Sequence, residues 1–326
     1  MLGSAAAPEL QSGAAYLERG LTSGQQSYDT EPSLYPVSEP IEKVEGRWQT
    51  SGEIMYTGDT PVKAGELQAA FVLSSRANCD LASIDVTEAL AMPGVVDFVD
   101  HRDVPGLNNW KPYGHNQVEE IFSSGRIHYA GQSLGLILAE TRDIALEAAR
   151  RVKIVLENEG PVITDMETSL ENPDNVVSGG DTLEYGDAES AINSADHVIQ
   201  GRFKMGSQYH FHMETQTCIV TPVEDGFDLD IASQDTGACL KRVCTALNID
   251  QNSVNITVKR LGGGFGGKVS LPCHLATAAA VAANKLKRPV RLWMPLEDNM
   301  KMLGKRSPYL FDYKGRVISK TNCHTY

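Results

Sequence analysis

The sequence predicts a mixed α/β fold arranged in more than one domain, and three observations predict it. A strand-like apolar run at 133–139 leads into a helical window at 142–151, with Ala145, Ala148 and Ala149 on one face, and then into a second strand-like run at 152–156. Two alternating runs, 217–223 and 227–232, flank Glu224-Asp225-Gly226 in the manner of a β-hairpin. With 326 residues and 41% apolar composition, the chain can bury a sizeable core, and its length corresponds to about two domains.

Residues 1–47 are rich in Ser, Gly, Pro and Gln, with Pro32, Pro36 and Pro40 spaced through an aperiodic stretch, and read as an extended linker. A compact pattern begins near Gly52. Asp85 followed by Glu88 resembles a capping box at the start of a short helix, which Pro93-Gly94 stops ahead of a strand at 95–99. A polar loop at 107–125 precedes the strand, helix and strand of 133–156, which read as a β-α-β unit with a right-handed crossover. The turn-rich run 160–186, with Pro161, Pro173, Gly179 and Gly180, marks a domain boundary, giving domains at 48–157 and 158–326. Beyond the hairpin come a helix at 238–247, a strand at 254–258, an alanine-rich helix from about Leu275 and a strand at 290–294. Glu297 and Asp298 follow in what reads as a polar turn.

A formal charge of -13 and the lack of any Lys/Arg cluster argue against a nucleic-acid or anionic-membrane partner. The opening MLGSAAAPELQSG has neither a basic n-region nor an apolar h-region, so a cytoplasmic location is expected. The longest weakly apolar run, 275–283, is about half the length that crosses a bilayer. Six cysteines, at 79, 218, 239, 244, 273 and 323, form no Cys-x-x-Cys pair and read as reduced structural thiols.

The most informative segment is Arg260 to Lys268, RLGGGFGGK, in which five glycines surround one phenylalanine between a strand and a helix. Glycine has no Cβ and permits positive φ, so such a loop brings backbone N–H groups close to a ligand. Gly262, Gly264 and Gly267 fit the dinucleotide spacing G-x-G-x-x-G, but one strand alone follows before the sequence ends. Gly262, Gly267 and Lys268 fit the phosphate-loop spacing, yet Val269 stands where Ser or Thr is needed for magnesium.

GGGFGGK resembles the molybdopterin loop of the xanthine dehydrogenase and aldehyde oxidase family. Gly206-Ser207-Gln208-Tyr209-His210-Phe211 with Glu214-Thr215 resembles that family's segment whose Gln contacts the metal's oxo ligand. Ser51-Gly52-Glu53, Tyr56-Thr57-Gly58-Asp59, Gly131-Gln132, Arg288-Pro289-Val290-Arg291 and Gly304-Lys305-Arg306-Ser307-Pro308-Tyr309 extend the resemblance over about residues 15–314. It implies a hammerhead-like small α/β domain followed by the first part of a molybdopterin-binding domain. Gln208 and Phe265 would lie near molybdenum, with Gly263, Gly264 and Gly266 against the cofactor.

The implied chemistry is hydroxylation of an aldehyde or another electron-poor carbon with water-derived oxygen. Full-length relatives also carry 2Fe-2S clusters and FAD and form homodimers. The resemblance places the general base in a second molybdopterin-binding half outside this sequence, so no catalytic residue is assigned and the chain alone is expected to be inactive. The match fades after Lys314.

The resemblance is closest to aldehyde oxidases. Xanthine-oxidising members have a Glu after the glycine loop and an Arg after the next strand; here Val269 and Leu296 occupy those places and are expected to line the substrate pocket. A xanthine dehydrogenase-like purine hydroxylase is one alternative. Another is a zinc hydrolase: His210, His212 and Glu214 alternate, and on a strand they would share one face.

Overall fold

The computed structural model describes residues 23–24, 29–113, 118–176, 182–302 and 304–317. The opening segment, Gly179, Gly180, Cys323 and the tail at 318–326 lie outside the described residues. The chain divides after Ile54 into two units. In the first, a 3-10 turn at Pro32–Leu34 and a helix α1 (Gly46–Ser51) are the regular elements among the described residues, and Gly52 ends α1 in the left-handed conformation at φ 79.

The second unit holds the strands. Its first half runs β1 (Leu67–Leu73), β2 (Cys79–Asp85), α2 (Thr87–Leu90), β3 (Val95–Val99), β4 (Arg126–Ile127), β5 (Ser133–Ala139), α3 (Arg142–Arg151) and β6 (Lys153–Glu157). Next come α4 (Met166–Leu170), α5 (Ala188–Asn193), β7 (His197–Met205), β8 (Thr217–Val223), β9 (Gly226–Ile231) and α6 (Thr236–Leu247). The described residues end with β10 (Val254–Thr257), α7 (Pro272–Leu286), β11 (Val290–Trp293), α8 (Leu296–Met302) and β12 (Tyr309–Val317).

Among the described residues one seven-stranded mixed sheet runs in the order β10-β9-β8-β11-β1-β5-β3, beside a three-stranded β4-β2-β6 sheet and a β12-β7 ribbon. β5 is buried along its whole length because both faces are covered. Leu136 and Leu138, with Leu67, Ala69 and Phe71 of β1, face the core beneath α6 and α7. Ile137 and Ala139, with Ala70 and Val72, face Ala145 and Ala148 of α3. Strands covered on both sides read as continuous apolar runs.

α7 is apolar on all sides and buried from Pro272 to Ala283; its alanines let it approach α6, β8 and β11 closely. Parallel pairing of β1 with β11 is locked by a buried ion pair, Arg291 Nε to Glu66 Oε1 at 2.6 Å. Arg291 also donates to the carbonyls of Gly58 and Thr60, fixing the turn at Thr57–Asp59.

Four expectations are corrected. β5 and β6 belong to different sheets, and β6 pairs antiparallel with β2, so 133–156 is no parallel crossover unit. The hairpin loop is two residues, because Gly226 already pairs with Val223. Glu297 and Asp298 lie in the first turn of α8 rather than in a polar turn. The stretch beyond Lys314 continues as strand to Val317, paired with β7. No helix among the described residues is long and apolar enough to cross a membrane.

Candidate functional site

The glycine loop leaves β10 at the edge of the large sheet and returns into α7. Its backbone takes positive φ at Gly263 (91°), Phe265 (52°) and Gly266 (90°). Side chains from two other segments hold it there. Glu214 Oε2 accepts from the Gly262 amide at 2.8 Å and from Lys268 Nζ at 2.7 Å. Gln234 Oε1, just ahead of α6, accepts from the amides of Gly266 at 3.1 Å and Lys268 at 3.2 Å. The Gln234 amide donates to the Lys268 carbonyl at 2.7 Å, and Gln216 Nε2 donates to the Gly267 carbonyl at 2.9 Å.

Closeness at these anchors explains the glycines. A Cβ at Gly264 would stand 2.6 Å from Gln234 Oε1. At Gly266 the space is open, and its φ is what disfavours an L side chain. With those contacts made, the amides of Gly263, Gly264 and Phe265 donate to no acceptor among the described residues. Phe265 is 70% exposed above them.

The segment 210–214 runs alongside. Glu214 meets Gly262, His212 lies against Gly263, and His210 lies against Gly267. The Gln208 backbone is fixed by paired hydrogen bonds with Arg306, at 3.2 Å and 2.8 Å, and its side chain is exposed. Burial pulls both His210 and His212 below the ordinary histidine pKa, which favours neutral imidazoles beside the loop.

A cleft of about 580 Å³ opens beside this arrangement, and Gly266, Gly267, His210, Trp110, Tyr113 and Tyr129 are among the residues that line it. Val269 is half-buried at the base of the loop, and Leu296 is 44% exposed at the start of α8. Neither lines this cleft; Lys301 and Met302, at the opposite end of α8, do.

The zinc alternative is corrected. Residues 210–214 are irregular rather than a strand, with Phe211 at φ 50, so His210, His212 and Glu214 do not share a strand face. His212 Nδ1 bonds the Glu214 carbonyl at 2.7 Å, and one Glu214 oxygen is held by Lys268 and Gly262. Among the described residues no three His, Cys, Asp or Glu side chains converge as metal ligands. The same ion pair removes the phosphate-loop reading, since Lys268 is fully buried on Glu214. Sequence reasoning missed that pair and Gln234. An isolated Glu and Lys 54 residues apart carry no local signal, and Gln234 shows itself no further than by preceding the N-cap Asp235.

Residues 51–160 match the family described as aldehyde oxidase and xanthine dehydrogenase, a/b hammerhead domain, and residues 168–317 match the molybdopterin cofactor-binding domain. Aldehyde oxidase 3 of Rattus norvegicus is 36% identical over 297 residues, which is 89% of this chain and 22% of that protein. Xanthine dehydrogenase of Dictyostelium discoideum is 36% identical over 298 residues, 91% of this chain and 21% of that protein. The chain thus spans about a fifth of the length of these relatives. In fold it is similar to the aldehyde oxidoreductase of Desulfovibrio gigas, with a TM-score of 0.71 and 24% identity over 83% of this chain and 32% of that one. Two matched domains in order, with relatives at this identity along most of its length, show that the chain belongs to the aldehyde oxidase and xanthine dehydrogenase family.

Proposed function

We propose that this chain forms one wall of the molybdopterin site of a molybdenum hydroxylase that oxidises aldehydes or related electron-poor carbons. The observation that carries the reading is the cradle at Gly263, Gly264 and Phe265: amides that meet no acceptor among the described residues, on a loop whose backbone turns through positive φ. Such an arrangement fits a ligand rich in phosphate and other oxygen acceptors. Gln208, Gly263, Gly264, Phe265 and Gly266 would hold the cofactor, with Gln208 and Phe265 nearest its metal. When bound, that group supplies Lewis acidity and two-electron redox capacity.

The chain's own residues orient and shield. Glu214 and Gln234 fix the loop so that its free amides are preorganised. Phe265, Phe211 (58% exposed) and Met213 (84% exposed) present apolar side chains to solvent and would exclude water once covered. Glu214 is committed to Lys268 and is not a base for substrate. Alone, with those side chains exposed, the chain is expected to hold cofactor weakly and to show no turnover.

The aldehyde preference rests on Val269, an aliphatic residue beside the loop where the xanthine-oxidising pattern has Glu. A buried purine needs partners for its polar atoms, and each left unpaired costs about 1–3 kcal/mol. Leu296 adds little support, given its place away from the cleft. The test is rat aldehyde oxidase 3 with its matching segment replaced by this chain. The chimera should oxidise benzaldehyde far faster than xanthine, and Val269→Glu should move that ratio toward xanthine by about tenfold, as one restored polar contact implies. Equal rates on both substrates before the substitution would refute the aldehyde reading.

A further inference from the structure

The cleft beside Gly266 and Gly267 differs in charge from the rest of the molecule. The whole chain carries -13, yet three lysines, Lys111, Lys301 and Lys305, line the cleft against one carboxylate, Glu119. Lys111 is neutralised by Glu119 at 2.5 Å, and Lys301 by Glu297 at 2.6 Å. Lys305 forms no ion pair with a carboxylate among the described residues, and it is exposed. Such a cation in the lining of a cleft, on a chain of net negative charge, attracts and orients anions.

Part of the lining is aromatic and tied to the core. Trp110 is buried and stacks on His274 with ring centroids 5.0 Å apart and an interplanar angle of 5°; Phe71 meets the same imidazole edge-on at 5.4 Å. The Tyr113 hydroxyl donates to Asp235, which ties that ring to the start of α6. Burial drives the Tyr129 phenol up to about 12, so it stays a neutral donor at physiological pH. Gly266 also lines the cleft, and a Cβ there would meet nothing within 4 Å. A flat ring can therefore lie against Gly266 without steric opposition, whereas Gly267 is already covered by the His210 ring, 2.9 Å from a Cβ position. A volume of about 580 Å³ accommodates a ligand of one or two fused rings.

We infer that this cleft binds planar aromatic ligands that carry a negative charge, with the ring among the aromatic lining residues and Gly266 and the anionic group toward Lys305. Calling such a ligand a substrate, an aromatic aldehyde bearing an acidic group, rests on the molybdenum-hydroxylase reading; the binding itself needs no cofactor. The test uses the purified 326-residue chain with 2-naphthoate as the probe, followed by calorimetry and saturation-transfer NMR. 2-Naphthoate should bind at least about tenfold more tightly than 2-naphthylmethylammonium, and added salt should narrow the gap. Lys305→Glu should remove most of that preference while circular dichroism and melting temperature stay unchanged, and Tyr129→Ala should weaken both ions alike. No binding of naphthoate, equal binding of the two ions, or a preference that survives Lys305→Glu would overturn the inference. Naphthoate bound by a chain whose chimera retains no molybdenum would uphold the anionic aromatic site and sink the cofactor wall.

Discussion

Lys268 and Glu214 set the energetics of the loop. The lysine side chain is fully buried, and burial lowers its pKa although the neighbouring carboxylate raises it. Desolvating two charges is costly, so the pair stands only because each satisfies the other. Glu214 Oε1 is already buried without a partner. Lys268→Met would leave Glu214 with the Gly262 amide as its sole donor and should cost about 3–5 kcal/mol in urea unfolding. Adding Glu214→Gln removes the stranded charge and should recover a measurable part of that loss. A double variant no more stable than Lys268→Met alone would show that the two side chains are not energetically coupled.

At the level of elements, the first turn of α7 ties the cleft to the core through His274. Its Nε2–H donates to the Ile121 carbonyl at 2.7 Å, assigning the proton to that nitrogen. Burial lowers its pKa to about 4. The unfolded chain therefore binds the proton first as pH falls: stability contributed by the neutral imidazole is fully present above about 6.5 and declines progressively toward pH 4. The loss amounts to about 3 kcal/mol, at about 1.4 kcal/mol for each pKa unit. Melting temperature measured from pH 7 to pH 4.5 should fall, and His274→Phe, which keeps the stack on Trp110, should flatten that dependence. An unchanged slope in the variant would place the proton elsewhere. α6, α7, β5 and β9 were legible in the sequence because one buried face or a continuous apolar run marks each. The sheet that β6 joins was not, since period-two alternation fixes which side chains point inward and says nothing about the partner strand. β7 and β12 carry little burial signal and are made by pairing 197–205 with 309–317, a contact that no local pattern announces. Within the site, glycine density revealed the loop, whereas its anchors Glu214 and Gln234 depend on side chains distant in sequence.

Taken whole, the second unit builds one sheet from strands far apart in the chain: β1, β3 and β5 from the first half and β8 to β11 from the second. The β1–β11 seam, with Arg291 on Glu66, joins the two halves. On this frame Glu214, Gln216 and Gln234 anchor the glycine loop, while Phe211, Met213 and Phe265 are left exposed. On the proposed reading this wall is one part of a larger site; the chain spans about a fifth of the length of its curated relatives. The most direct test is the molybdenum and pterin content of rat aldehyde oxidase 3 carrying this chain in place of its matching segment, measured with and without Gly264→Ala. A Cβ at that position would stand 2.6 Å from Gln234 Oε1 and should push it off the Gly266 and Lys268 amides, loosening the loop. Stoichiometric molybdenum and pterin in the chimera, lost in Gly264→Ala while circular dichroism shows both proteins folded, is the predicted result. A folded chimera without cofactor, or full cofactor retention in Gly264→Ala, would contradict it.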